Sequence, residues 1–173
     1  EYDFPFGFKE VEGIHSRTDF DLSQHEQFSG KKLRYFDAEA NESYIPYVVE
    51  TSIGLDRLFL LVMSESLKEE EVNGDTRTVL KIPPALAPIK CAILPLVKKD
   101  GLPELAQKIY EDLRFDFNTF IEDKDSIGKR YRRMDAIGTP FCVTVDHESL
   151  TQNDVTIRFR DTMEQKRVSI DSL

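Results

Sequence analysis

Two hydrophobic rhythms divide this chain. In its second half, short apolar runs over residues 89–96, 115–121, 139–145 and 155–160, with 166–170 a candidate fifth, read as strands. Helical spacing fills the gaps between them. Pro103 suits a first helical turn, and Leu105, Ile109 and Leu113 then line one face of a helix reaching about Arg114. Asp125 or Ser126 caps the next helix, whose Ile127, Tyr131 and Met134 recur at i, i+4 and i+7. Its Lys129, Arg130, Arg132 and Arg133 are expected to point away from that stripe. Strands alternating with helices predict an α/β sheet with crossover helices.

The first half follows another rhythm. Residues 11–14, 33–36 and 44–52 are extended segments, expected to have no helix between them. Residues 47–52 form a β-rich strand, Gly54 supplies a permissive turn, and Leu55, Leu58, Phe59, Leu61 and Val62 set a helix over 54–66. Asn73-Gly74 between residues 67–72 and 75–81 is a hairpin signal, and Glu69-Glu70-Glu71 reads as a solvated edge. Pro83, Pro84 and Pro88 exclude helix interior and central strand, so we divide the chain there, into residues 1–82 and 83–173.

Charge sharpens this division. The net −9 disfavours a generic nucleic-acid binder, DNA included, but residues 1–82 hold 9 Lys and Arg against 17 Asp and Glu, while residues 83–173 hold 14 against 15. The acidity sits in the first half, and Lys129, Arg130, Arg132 and Arg133 form a local basic cluster in the second. With 173 residues, 40% hydrophobic content and 12 Phe, the chain has enough apolar material for packed cores. No run reaches the roughly 18 apolar residues of a membrane span, and residues 1–9 lack a signal-peptide core, so a cytoplasmic protein is expected. Cys91 and Cys142 lie in apolar segments without metal-ligand spacing, which predicts buried reduced thiols and no structural metal.

The most informative stretch is Tyr47-Val48-Val49-Glu50-Thr51-Ser52-Ile53-Gly54-Leu55-Asp56-Arg57. It puts a carboxylate, a hydroxyl and an arginine around one strand-to-helix corner. Taken alone, Glu50 is equally a solvated strand residue, Ser52 a helix cap and Arg57 a surface cation. The pattern nevertheless resembles the third signature motif of class II aminoacyl-tRNA synthetases, in the form carried by the glycyl-tRNA synthetase family. Pro5-Phe6-Gly7-Phe8-Lys9-Glu10-Val11-Glu12-Gly13-Ile14, followed by Arg17-Thr18-Asp19-Phe20-Asp21-Leu22 and His25, is similar to that family's strand before the motif. Residues 88–96, with Ser126-Ile127-Gly128-Lys129-Arg130-Tyr131 and Ile137-Gly138, resemble its anticodon-binding domain.

The resemblance implies a fold: the end of a class II antiparallel-sheet catalytic domain, then a three-layer α/β/α anticodon-binding domain with a mixed sheet. It implies ATP-dependent activation of glycine and transfer to tRNA(Gly), with ATP and Mg²⁺ bound and a homodimeric full-length protein. The first two motifs would lie before Glu1, so the chain alone is expected to be inactive. Glu50 and Ser52 would hold the substrate ammonium, with Thr51, Ile53 and Gly54 lining the same site. Glu10, Val11, Gly54, Leu55, Asp56 and Arg57 would contact ATP, Arg57 by stacking a permanent charge on adenine. Glu12 is a second candidate for Mg²⁺ beside Glu10, the two sharing a strand face. His15, His25 and His147 are not needed as bases, because positioning and metal charge carry the reaction. Arg130, Arg132, Arg133 and Arg158 are candidates for anticodon contact, while Tyr131 is expected to pack in the core. Thr51 and Phe8-Lys9 depart from the family's frequent Pro and Trp-Gly. The alternative is a noncatalytic nucleic-acid-binding accessory protein, against which the retained Glu50, Ser52 and Arg57 argue.

Overall fold

Alternating apolar runs with turn residues between them dictate most of the second half, and a computed structural model describes all residues, Glu1–Leu173. The chain forms two compact units, Glu1–Leu61 and Val62–Leu173. The first unit begins with β1 (Tyr2–Phe4) and β2 (Gly7–Lys9), an antiparallel pair joined at Pro5-Phe6. Next come β3 (Glu12–Thr18), α1 (Phe20–Ser29), β4 (Tyr35–Asp37), β5 (Glu42–Tyr44) and β6 (Val48–Ile53). β4 pairs with β5 and β6 with β3, both antiparallel. α2 (Leu55–Ser66) follows, its first turn closed by Leu58 N–H donating to Gly54 O at 2.9 Å.

α1 corrects the expectation that no helix interrupts the extended segments. It follows Asp19 and closes at Gly30, whose N–H donates to Glu26 O at 3.0 Å, but no residue in it is buried. Without an apolar stripe, periodicity has nothing to register.

The second unit takes in the last residues of α2 and continues with a hairpin, β7 (Leu67–Val72) and β8 (Asp75–Leu80). Asn73 and Gly74 both have positive φ, 54° and 85°, which matches the right-handed twist of the two strands. Then come β9 (Cys91–Pro95), α3 (Leu102–Leu113), β10 (Thr119–Ile121), α4 (Ile127–Ala136), β11 (Phe141–Val145), α5 (Ser149–Gln152), β12 (Asp154–Phe159) and β13 (Gln165–Ser169). The last five strands make one sheet in the order β10-β9-β11-β12-β13. β9 runs parallel to β10 and β11, and β12 is antiparallel to β11 and β13, so the sheet is mixed as expected.

Period-2 alternation assigns each face of that sheet to one helix. Cys91, Ile93, Val143, Val145 and Val155 pack with Leu102, Ala106 and Ile109 of α3. Ala92, Leu94 and Cys142 pack with Met134, Ile127 and Tyr131 of α4. The result is the three-layer α/β/α arrangement. The second strand is shorter than the apolar pattern predicts, because Phe115 is 86% exposed and Asp116 and Phe117 turn back to donate to Leu113 O. The compact unit that begins at Val62 includes the β7–β8 hairpin, which is tied to α4 through Arg77 and Asp135.

Both cysteines are buried, and burial pushes each thiol up to about 12. A thiol reagent at pH 8 is therefore expected to modify neither in the native protein and both after denaturation, since only the thiolate is the nucleophile. Rapid native-state labelling would show that this sheet opens.

Candidate functional site

In the first unit, the strand-to-helix corner forms one side of an open cleft of about 730 Å³. Ser52, Gly54, Leu55, Asp56, Arg57 and Leu60 line it from β6 and α2, and Phe6, Lys9, Glu10 and Val11 line it from the β2–β3 region. Every residue expected to contact ATP is thus brought to one cleft. Arg57 Nη1 donates to Glu10 O at 2.5 Å, joining two segments 47 residues apart in sequence. Phe6 and Lys9 were not anticipated: they arrive with the β1–β2 hairpin, where Phe6 stacks on Phe4 at 5.2 Å. Proline and glycine flanking that turn were the available signal.

The β3–β6 ladder sets what surrounds Glu50. Side chains of directly paired residues share a face. Gly13 lies opposite Ser52 and His15 opposite Glu50, whereas Glu12, Ile14 and Ser16 share the other face with Ile53, Thr51 and Val49. Glu50 and Ser52 therefore lie together, as their i, i+2 spacing requires. The ladder shifts between Ser16 and Thr18, leaving Arg17 outside it. Arg17 donates to both carboxylate oxygens of Asp21, at 2.8 and 2.9 Å, and its Nε lies 3.4 Å from Glu50 Oε2. The hydrogen bonds from Arg17 hold the Asp21 carboxyl below the usual carboxylate range. Glu50 is the third residue of β6, with a side chain 43% exposed. One expectation changes here. Glu10 and Glu12 do not share a strand face, because Glu10 falls in the break between β2 and β3.

In the second unit, α4 presents the basic cluster. Arg130 corrects the expected outward orientation: it is 1% exposed and donates to Pro95 O at 2.7 Å, Glu122 O at 3.0 Å and Leu96 O at 3.3 Å. Burial lowers its pKa. Its position follows from the helix period, since 127, 130, 131 and 134 all fall on one face. Arg158 is also inside, 6% exposed, with both terminal nitrogens on the Asp135 carboxylate at 2.8 and 3.0 Å. Its guanidinium lies 4.7 Å from the Tyr131 ring centroid, and Tyr131 Oη is 2.6 Å from Thr144 Oγ1. Tyr131 packs in the core as expected. Neither Arg130 nor Arg158 presents a donor outward.

Arg133 reaches the surface but is bound to Glu122, Asp125 and Lys124 O, all between 2.8 and 3.2 Å. Arg132 donates to Thr76 O at 2.9 Å with 42% of its side chain exposed. Together with Lys129 and Gly128 they border a cavity of about 640 Å³ beside Asp75 and Thr76 of the hairpin. A separate cavity of about 460 Å³, lined by Phe117, Phe141, Val143 and Phe159 among others, has one cation and no carboxylate to orient a polar ligand. No group of three His, Cys, Asp or Glu side chains is placed to hold a metal, and no helix is long and apolar enough to cross a membrane.

Comparison with known proteins joins these two regions. A family model described as an anticodon binding domain matches residues 90–173. Glycine–tRNA ligase of Chlorobaculum tepidum is 53% identical over 170 residues, spanning 98% of this chain and 36% of that protein. Glycine–tRNA ligase of Borrelia hermsii is 54% identical over 176 residues, spanning 100% of this chain and 40% of that protein. The chain thus spans about two fifths of the length of these relatives. Among solved structures, Giardia lamblia prolyl-tRNA synthetase in complex with prolyl-adenylate superposes with a TM-score of 0.61 at 21% identity, covering 93% of this chain and 32% of that one. That likeness is one of fold. The sequence matches along the whole chain show that the protein belongs to the glycine–tRNA ligase family and corresponds to a C-terminal portion of its members.

Proposed function

We propose that this chain supplies part of the glycyl-adenylate site and the anticodon-reading domain of a glycine–tRNA ligase. The observation that carries this reading is the cleft in which Arg57 is bonded to Glu10 O beside Ser52 and Gly54. Glu50 would accept the ammonium of glycine in a charge-assisted bond and Ser52 would add a second polar contact. Gly54 and the backbone of Thr51 and Ile53, whose side chains lie on the opposite face, would complete the amino-acid side. Glu10, Val11 and Gly54 to Arg57 would hold ATP, with the N-terminus of α2 favouring phosphate charge. Mg²⁺, where bound, would neutralise phosphate charge. It needs only one or two protein carboxylates, and Glu10, which lines the cleft, offers one.

Holding glycine's carboxylate in line with the α-phosphorus is the work of these residues, and none serves as nucleophile or general base. The parent protein in this reading is a cytoplasmic homodimer whose partner is tRNA(Gly). Of the arginines on α4, Arg132 is the one with exposed surface and no carboxylate within 3.5 Å, so it and Lys129 are our choices for RNA contact.

Pyrophosphate exchange by the full-length protein, measured with each amino acid, tests the first half of the proposal; exchange dependent on an amino acid other than glycine would overturn it. Titration with tRNA(Gly) and with the same tRNA altered at its second and third anticodon bases, at fixed salt, tests the second. We expect altered tRNA to bind more weakly, and Arg132→Ala to cost about 1–3 kcal/mol if it reads a base edge. Equal affinity for all tRNAs would leave the basic surface as a phosphate contact only.

A further inference from the structure

The face of the β3–β6 ladder that carries Glu50 and Ser52 also carries Gly13 and His15, directly opposite them. Gly13 has an unusual neighbour. A Cβ built on it would lie 2.4 Å from His15 Nε2, 3.2 Å from Cε1 and 3.3 Å from Cδ2. The imidazole therefore lies down over the Gly13 backbone, occupying the space that any other residue's side chain would fill. Because Gly13 is paired with Ser52, the ring lies on the strand surface beside it. Cross-strand Cβ atoms stand about 4.5–5.5 Å apart, so a ring in this place faces whatever is held by Glu50 and Ser52.

We propose that His15 is a specificity-determining residue of the amino-acid site, closing it against any substituent on the substrate Cα. The inference rests on the placement of the substrate ammonium at Glu50 and Ser52 given above. An ammonium held there puts the Cα of the substrate between those side chains and the ring. Glycine brings only hydrogens into that gap. Alanine brings a methyl group that must displace the imidazole, and Gly13 is what allows the imidazole to lie so low.

The test uses the full-length ligase and pyrophosphate exchange with glycine, alanine and serine as probes. His15→Ala is expected to raise the ratio of alanine to glycine kcat/KM by about tenfold or more, the discrimination that one methyl group supports. His15→Gln, which restores bulk without the ring, is expected to return that ratio toward the wild-type value. A merely structural role would lower both amino acids together and leave the ratio unmoved, which would overturn the inference. A ratio raised equally by His15→Gln and His15→Ala would overturn it too. Failure of the wild-type enzyme to activate glycine would remove the functional reading itself, whereas normal glycine activation with an unmoved ratio would remove only the role of His15.

Discussion

Asp135→Ala is expected to destabilise the second unit by about 3–5 kcal/mol, the cost of removing one partner from a buried ion pair. Asp135 is 0% exposed and accepts from Arg77 Nε at 2.9 Å and from both terminal nitrogens of Arg158. Arg77 is itself 1% exposed, so deletion of the carboxylate strands two guanidinium groups away from water. Arg77 keeps Glu70 at 2.8 Å and Arg160 O, whereas Arg158 is left with the face of Tyr131. The effect should appear as a fall of about 10 °C or more in the thermal midpoint of that unit, since each kcal/mol is worth about 4–8 °C in a domain of roughly this size. Replacing Arg77, Asp135 and Arg158 together by apolar residues of similar volume should recover much of the loss, because an apolar cluster carries no desolvation cost. A single Asp135→Ala shift of only a degree or two would mean that water reaches both arginines. The network also explains why the hairpin belongs with the sheet: the Arg77–Asp135 bond spans 58 residues.

That span marks the limit of what the sequence made legible. Short apolar runs fenced by proline, glycine and acidic turns located β9, β11 and β12, because each of these strands carries buried residues, whereas β13 has none and reads from the sequence only as a candidate. The β6–α2 side of the cleft is readable because Ser52 and Gly54 to Arg57 follow closely in sequence and their positions follow from one strand, one turn and one helix. The burial of Arg130 and Arg158 is not legible from their charge. Arg130 in fact sits at i+3 of the apolar stripe. Arg158 lies inward on β12 beside Asp135, a partner 23 residues away. No local pattern announces such a pairing. α1 was missed because its residues are all at least partly exposed, and Gly13 and His15 gained meaning only from the β3–β6 register.

Glu50→Gln gives the largest effect expected on function. Glutamine preserves the shape and one neutral acceptor but removes the charge that would meet an ammonium. Hydrogen bonds to charged groups contribute about 1.5–3 kcal/mol, so glycine kcat/KM in pyrophosphate exchange should fall about 10- to 150-fold. The KM for ATP should hold, because the ATP-side contacts begin at Gly54 and Glu10, and Arg57 is bonded to Glu10 O rather than to Glu50. Arg17 loses its 3.4 Å neighbour but keeps both bonds to Asp21, so the local fold should survive. Ser52→Ala removes only a neutral partner and should cost about 0.5–1.5 kcal/mol, a smaller loss on the same axis. The ordering is the discriminating result. A Glu50→Gln enzyme with unchanged glycine kcat/KM would mean that the ammonium is held elsewhere. A variant that loses ATP and glycine binding alike would instead make Glu50 an anchor for Arg17, with its carboxylate holding the β3 bulge rather than the substrate.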